Sequence, residues 1–142
     1  MKPQAAAFLE KSRDLLEHTE TMLNVGLHED AGRTAYLAGF HAAQALIFET
    51  HGRVLKKHAA VQGEFGRLVK DDPRVDMDLR AFLGRSYQLK AIADYETGPG
   101  SKVSPETART TLQTARQFVE CVTRLLATNG HTPSPPGAAV NP

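Results

Sequence analysis

The chain contains 142 residues, of which 41% are hydrophobic and 23% are charged, enough to bury the core of one domain without metal or disulfide support. Seventeen Lys and Arg residues oppose 16 Asp and Glu residues. This near balance excludes an overall polybasic surface but leaves room for a local basic patch. The single cysteine, Cys121, excludes an internal disulfide framework and a zinc site built from several cysteines.

Hydropathy gives no sign of a membrane segment. No apolar run approaches the roughly 20 residues that a bilayer requires. The N-terminal residues MKPQAAAFLEK lack the apolar stretch of a signal peptide. We therefore expect a soluble cytoplasmic protein that does not contact membranes.

Apolar residues recur at helical rather than alternating spacing, which predicts helices and no strand. Five helical segments are expected: about Gln4 to Val25, about Asp30 to Thr50, a short segment that ends near Lys70, one that ends near Tyr95, and one that begins after Ser104. The fifth segment has the clearest amphipathic period. The second is rich in alanine and also contains Gly39. Small residues let a neighbouring helix approach closely, so the second segment is predicted to be the central packing helix.

Caps and breakers divide these segments. Gly26 is expected to end the first helix. Asp72 or Asp76 is expected to cap the fourth helix, with Pro73 near its first turn, and Ser104 to cap the fifth. Residues 129–142 hold four of the eight prolines and are predicted to be a disordered tail. The expectation is an all-α, up-and-down bundle of about five helices over residues 1–128.

Charge is distributed unevenly along the chain. Residues 53–90 contain nine basic and five acidic side chains, and the remainder contains eight basic and eleven acidic ones. One interpretation is an ordinary solvated surface. The other is a phosphate-facing groove, whose candidate contacts are Arg53, Lys56, Lys57 and Arg85.

Three segments carry a resemblance to a known family. They are AGRTAYLAGFHAAQALIF at residues 31–48, KKHAAV at residues 56–61 and LGRSYQLKAIADY at residues 83–95. Over about residues 5–127 the chain resembles the HEPN superfamily, and more narrowly its small stand-alone bacterial branch. That branch is typified by an R-x-x-Y-x-x-x-F-H-A-A helix, a K-x-H turn and a terminal A-D-Y.

The resemblance implies a helical bundle that pairs with a second copy of itself. It also implies that the protein forms a toxin–antitoxin-like pair with a minimal nucleotidyltransferase. Active members of the family are metal-independent endoribonucleases built around R-x4-6-H on the fourth helix. In that chemistry a histidine moves the proton of the ribose 2′-hydroxyl and an arginine stabilises the phosphate.

The fourth helix departs from this catalytic motif. Alignment on Ala93-Asp94-Tyr95 puts Lys90 in the arginine position and Tyr95 in the histidine position. Lys90 falls on an apolar stripe and could stabilise a phosphate as a point charge, whereas a phenol is a poor general base at neutral pH. Alternatively, Lys90 pairs with Asp94 one turn later and Tyr95 packs at the helix end. Because a tyrosine near the motif can be nucleotidylated in this family, Tyr95 is also a candidate modification site.

Other arginine–histidine pairs fit the motif spacing, as expected by chance for so short a pattern. They are Arg53–His58, Arg13–His18 and Arg124–His131. Only Arg53–His58 lies in the basic segment, beside Lys56 and Lys57. His58 therefore joins Lys90, Asp94 and Tyr95 as a candidate catalytic residue; otherwise it caps or packs at the start of the third helix.

The second helix contains further polar and aromatic residues. Arg33, Tyr36, Phe40 and His41 are expected to make core or dimer contacts, because a lone histidine on a small-residue face is more often hydrogen-bonded in a core than a ligand. No metal-ligand spacing, glycine-rich phosphate loop or G-x-S-x-G motif is present, so neither a metal nor a cofactor is expected.

Three functions follow as hypotheses. The first is a homodimeric protein that binds RNA or a nucleotide and is paired with a minimal nucleotidyltransferase, its catalytic motif substituted. The second is an endoribonuclease toxin that leaves a 2′,3′-cyclic phosphate, with Lys90 on the phosphate and His58 or His41 in proton transfer. The third is a structural adaptor. The sequence does not specify the RNA, the partner or catalytic competence.

Overall fold

The computed structural model describes residues 1–130, and these residues form five α-helices and no strand. The helices are α1 (Pro3–Asn24), α2 (His28–His51), α3 (His58–Val69), α4 (Met77–Tyr95) and α5 (Pro105–Gly130), with a 3-10 helix at Gly98–Ser101 between the last two. The predicted all-α bundle is confirmed. The tail predicted over residues 129–142 lies, beyond Gly130, outside the described residues.

Most helix ends follow the predicted caps. The Asp76 carboxylate accepts from the Leu79 backbone N–H at 2.9 Å, and the Ser104 hydroxyl accepts from the Thr107 N–H at 3.0 Å. Gly26 follows α1 with φ of +83°, a conformation that favours glycine. The expected place of Pro73 is wrong, because this residue lies in the turn before α4. There the Asp72 carboxylate accepts from the Arg74 N–H instead.

Helix α2 is the central element, as its small residues predicted, and it packs against each of the other four α-helices. Two glycines of α2 face side chains of α4. A methyl group added at Gly39 would overlap the Phe82 ring, and one at Gly32 would meet Leu89 Cδ1 at 3.2 Å. These two glycines lie two turns apart on α2, so α4 runs directly against the backbone of α2 there.

The core fills the space between α2, α3, α4 and α5. Phe118 of α5 packs against Phe65 and Phe82, with ring centroids 4.9 and 5.2 Å apart. Buried polar groups also link the helices: the Ser12 hydroxyl of α1 donates to the Ala38 carbonyl of α2 at 2.6 Å. Within residues 1–130, no helix combines the length and apolarity needed to cross a membrane.

Candidate functional site

A carboxylate with two cations lies where α2 meets α4. Asp94 accepts from Arg33 Nε at 2.7 Å and from Lys90 Nζ at 2.6 Å. Arg33 comes from α2, whereas Lys90 and Asp94 lie one turn apart on α4. We call these three residues together with His58 the cationic cluster. Two cations that share one carboxylate leave the cluster with a net charge of about +1 before His58 is counted.

Lys90 is the most enclosed charge of the cluster. Its side chain is 13% exposed, against 23% for Asp94 and 40% for Arg33. Its Nζ lies 5.6 Å from the centroid of the Tyr95 ring, within the range of a cation–π contact. The position of Lys90 on an apolar stripe indicated this enclosure, and the expected pair with Asp94 is present.

The two cations control the acidity of Asp94. The hydrogen bond from Lys90 and then that from Arg33 hold the pKa of this carboxyl below its ordinary value, and partial burial opposes them. Asp94 is therefore ionised at neutral pH. Its role here is to orient two donors, since an ionised carboxylate only accepts hydrogen bonds.

His58 stands beside this group as the first residue of α3. Its ring centroid lies 4.5 Å from that of Phe40, 5.4 Å from Tyr87 and 5.6 Å from Tyr36. Burial lowers the pKa of His58, and the Lys90 cation lowers it further, while Asp94 raises it. His58 is consequently a neutral, half-buried imidazole at neutral pH.

Tyr36 anchors the His58 ring. Its hydroxyl lies 2.7 Å from His58 Nδ1, and Gln62 Nε2 donates to the same hydroxyl at 3.4 Å. Tyr36 is fully buried, and this burial raises its pKa to about 12. Tyr36 and Phe40, for which core or dimer contacts were expected, are both buried within this chain.

Sequence reasoning missed Gln62 and Tyr87. Gln62 follows His58 by four residues, and Tyr87 precedes Lys90 by three. Both spacings put the residue on the same helical face as a candidate that was recognised. That helical spacing was the available signal.

His41 is the second histidine considered for proton transfer, and it is tied into a separate network. Its Nδ1 lies 2.7 Å from Gln44 Oε1, and Gln44 donates to the Leu55 carbonyl at 2.7 Å. The His41 ring stacks on Phe8. Burial lowers the pKa of His41, and the hydrogen bond with Gln44 opposes that shift. Of the two histidines, His58 is the one beside Lys90.

The basic segment contains fewer free cations than its composition suggested. Within the described residues, Arg67 pairs with Glu64, and Arg74 pairs with Asp72. Arg80 donates to the carbonyls of Val69, Lys70 and Asp72. These contacts stabilise the end of α3 and the turn after it, so these three arginines have structural roles.

The proposed phosphate contacts occupy two places. Arg53, Lys56 and Lys57 are exposed on the connector that leads into His58. Arg85 lies elsewhere, because it lines a cavity of about 470 Å³ between α4 and α5. Its side chain is 73% exposed and lies 3.6 Å from Asp78. The connector leads in sequence into His58 of the cationic cluster, whereas Arg85 lines the cavity between α4 and α5.

The other motif matches are not assembled into this cluster, and Tyr95 contacts it through Lys90. No hydrogen bond or ion pair joins Arg53 to His58 within the described residues. Arg13 and His18 are exposed on α1, and His131 lies outside residues 1–130. Tyr95 is 73% exposed at the end of α4, where its ring lies beside the Lys90 ammonium. Across residues 1–130, no group of three or more His, Cys, Asp and Glu side chains is arranged to hold a metal.

Comparison with known proteins now identifies the family. The HEPN domain family model matches residues 5–125. The chain belongs to the HEPN family. A relative from Methanocaldococcus jannaschii, named "Putative toxin MJ0605", is 29% identical over 126 residues, which cover 89% of this chain and 91% of that protein.

A solved structure shares the fold. The crystal structure of TT1696 from Thermus thermophilus aligns with a TM-score of 0.70 and 20% identity, over 87% of this chain and 98% of the other. In this HEPN chain, the three family-like segments meet at the cationic cluster. Arg33 and Tyr36 come from the first segment, His58 from the second, and Lys90 and Asp94 from the third.

Proposed function

We propose that this HEPN protein binds the phosphates of RNA or of a nucleotide through Arg33, Lys90 and His58, as the homodimeric component of a toxin–antitoxin-like pair with a minimal nucleotidyltransferase. The observation that carries the proposal is the position of Lys90, whose side chain is only 13% exposed and lies beside a second cation and a histidine. A cation in such a place interacts more strongly with an anion than one in bulk water does.

The cluster has the donors that a phosphoryl group requires. Arg33 presents a guanidinium fork and Lys90 a compact ammonium, two groups that bind phosphate in different ways. Asp94 holds one nitrogen of each cation and so reduces the reorganisation needed on binding. The exposed connector cations Arg53, Lys56 and Lys57 add phosphate contacts that depend little on sequence.

The toxin-like role draws on the family and on the name of the M. jannaschii relative. Co-expression of the chain with a minimal nucleotidyltransferase tests the partner: a complex that co-elutes in gel filtration is expected. The mass of the free chain by light scattering tests the homodimer. A chain that is monomeric and co-elutes with no minimal nucleotidyltransferase would refute the homodimer and the partner. The proposal of phosphate binding would then be tested by itself.

Binding is tested by fluorescence anisotropy with a labelled single-stranded ribo-oligonucleotide at several salt concentrations. Lys90→Gln is expected to weaken binding by roughly tenfold and to lower the slope of log affinity against log salt by about 1. The matched control is Lys102→Gln, because Lys102 is an exposed lysine on the loop before α5. Equal affinities for the two variants would overturn the assignment of the site.

The endoribonuclease is the second candidate function. Of the two histidines, His58 is favoured over His41 for proton transfer, because Lys90 is among the charges that act on His58. Incubation with RNA and analysis of the ends tests it. Products ending in a 2′,3′-cyclic phosphate, lost in Lys90→Ala and His58→Ala, would establish cleavage. Intact RNA that is nevertheless bound would establish the binding function, and neither binding nor cleavage would favour the adaptor.

Tyr95 is the proposed acceptor for nucleotidylation by the partner enzyme. Its ring is 73% exposed, whereas Tyr36 is fully buried and Tyr87 is half-buried. Mass spectrometry after incubation with the cognate nucleotidyltransferase and ATP is expected to place the added nucleotide on Tyr95 and to find none in Tyr95→Phe. An adduct that persists in that variant would place the modification elsewhere.

A further inference from the structure

The ring of His58 is held by a chain of polar groups from two helices. The Tyr36 hydroxyl of α2 lies 2.7 Å from His58 Nδ1. Gln62, one turn after His58 on α3, donates from Nε2 to the same hydroxyl at 3.4 Å. The Tyr36 oxygen therefore faces an amide donor on one side and an imidazole nitrogen on the other.

The order of donors in this chain decides which nitrogen of His58 carries the proton. A hydroxyl has one proton to donate. Within residues 1–130 the hydroxyl has hydrogen-bond contacts with His58 Nδ1 and the Gln62 amide nitrogen alone. Since an amide nitrogen only donates, Nδ1 is the one acceptor for the proton of this buried hydroxyl. Burial keeps that proton on the phenol by raising the pKa of Tyr36 to about 12. A neutral imidazole that accepts at Nδ1 carries its own proton on Nε2.

We propose that Tyr36 is a positioning residue, which holds neutral His58 in the Nε2–H tautomer so that the ring offers an N–H donor to a phosphoryl oxygen. The inference rests on the proposed phosphate-binding function and deepens it, because it gives His58 a specific role there. It also excludes neutral His58 as the base that removes a 2′-hydroxyl proton, since the nitrogen that does not contact Tyr36 is already protonated.

The charged and titratable groups around His58 belong to α2 and α4. They are Tyr36 and His41 on α2, Tyr87, Lys90 and Asp94 on α4, and Arg33 through its pair with Asp94. Lys90 and Asp94 alter how readily the ring gains a second proton. Within residues 1–130, the ring makes its hydrogen bond through Nδ1 to Tyr36, so it is Tyr36 that selects the tautomer of the neutral form.

The tautomer is measured directly by two-dimensional NMR of the full chain labelled with 15N-histidine. The His58 signals are assigned from their loss in His58→Gln. Cross-peaks of the Nε2–H pattern at a pH above the His58 titration are expected. The Nδ1–H pattern would overturn the proposal without any variant being needed.

Variants test whether Tyr36 is the cause. Tyr36→Phe is expected to give a mixture of the two tautomers, while Tyr87→Phe removes a hydroxyl from a ring 5.4 Å from His58 and is expected to leave the tautomer unchanged. Gln62→Glu replaces the donor by an acceptor, so that the Tyr36 proton turns toward the new carboxylate and His58 is expected to switch to Nδ1–H. If all three variants gave the same His58 cross-peaks as the wild-type chain, the role of Tyr36 would be overturned.

Oligonucleotide binding separates this inference from the function on which it rests. Tyr36→Phe is expected to weaken binding by roughly three- to tenfold where His58 is neutral. No such loss is expected where His58 is fully protonated, because both ring nitrogens then carry a proton. A wild-type chain that shows the Nε2–H tautomer but binds no oligonucleotide would refute the proposed function and leave the tautomer assignment intact. If Tyr36→Phe weakened oligonucleotide binding equally at a pH where His58 is neutral and at a pH where it is protonated, the positioning role would be contradicted.

Discussion

Lys90 donates to Asp94 across one turn of α4, with 2.6 Å between Nζ and Oδ2. Arg33 donates to the other oxygen of the same carboxylate. Asp94 thus occupies donors that a phosphate would otherwise use, and it repels that phosphate by its charge. In the proposed site this carboxylate both organises the cations and weakens their attraction for an anion.

Asp94→Asn is expected to tighten oligonucleotide binding. Removal of one negative charge next to the bound phosphate is worth about 1 kcal/mol, or roughly fivefold in affinity. Anisotropy titrations at low salt measure this gain. The matched control is Asp78→Asn, because Asp78 lies on the same helix with its side chain 82% exposed. Equal gains for the two variants would show that overall charge, rather than the cluster, controls binding.

Gly39→Ala is expected to destabilise the fold by about 1–3 kcal/mol, because the added methyl group overlaps the buried Phe82 ring and forces α2 and α4 apart. Urea unfolding followed by circular dichroism measures the change. Gly84→Ala is the control within α4, where an added methyl group meets nothing within 4 Å. It is expected to gain about 0.5–1 kcal/mol from helix propensity. Destabilisation by both substitutions would contradict the close approach at Gly39.

Arg80→Met is expected to cost about 2 kcal/mol of unfolding free energy, because three carbonyls at the end of α3 lose a charged donor. Arg85→Met is its control and is expected to change the unfolding free energy by about 0.5 kcal/mol or less, since the Arg85 side chain is 73% exposed. If Arg80→Met left stability unchanged and weakened oligonucleotide binding, its structural assignment would be wrong.

Stability is expected to fall as the pH drops below neutrality, because burial lowers the pKa values of His41 and His58 in the folded chain. The unfolded chain takes up these protons near the ordinary pKa of 6.5, and the folded chain does so only at lower pH. The unfolding free energy therefore declines from about pH 7.5 to about pH 5.5. Urea unfolding at both pH values measures the decline.

His41→Gln and His58→Gln are each expected to make this decline shallower, and the double variant to make it shallower still. His41 bonds to Gln44 and His58 to Tyr36. The two titrations are coupled, because a charge on His58 lowers the pKa of His41. If the unfolding free energy of the double variant declined as steeply as that of the wild-type chain, groups other than these two histidines would be responsible.

Features of the fold that depend on residues close together in the sequence were predictable. Helical periodicity indicated all five helices, and the spacing of four residues indicated the Lys90–Asp94 pair. The small residues of α2 indicated the close contact that Gly39 makes with α4. Each of these features needs only helix geometry to be recognised.

Contacts between distant residues were not predictable from spacing. Arg33 and Asp94 are 61 residues apart, and Tyr36 and His58 are 22 apart. Their meeting depends on how α2, α3 and α4 pack, which periodicity does not specify. Counting charges also misjudged the basic segment. Arg80 was one of the nine basic residues in that count, whereas its guanidinium binds three backbone carbonyls.

The contact at Gly39 has a consequence for how substitutions in this chain should be interpreted. Arg33 of α2 reaches Asp94 of α4 across an interface in which Gly32 and Gly39 let the two helices pack closely. A larger residue at Gly39 would move Arg33 relative to Asp94 without changing the identity of any side chain that is proposed to bind phosphate. A substitution at Gly39 could therefore abolish phosphate binding although Gly39 itself contacts no ligand. The cause would be the increased distance between α2 and α4.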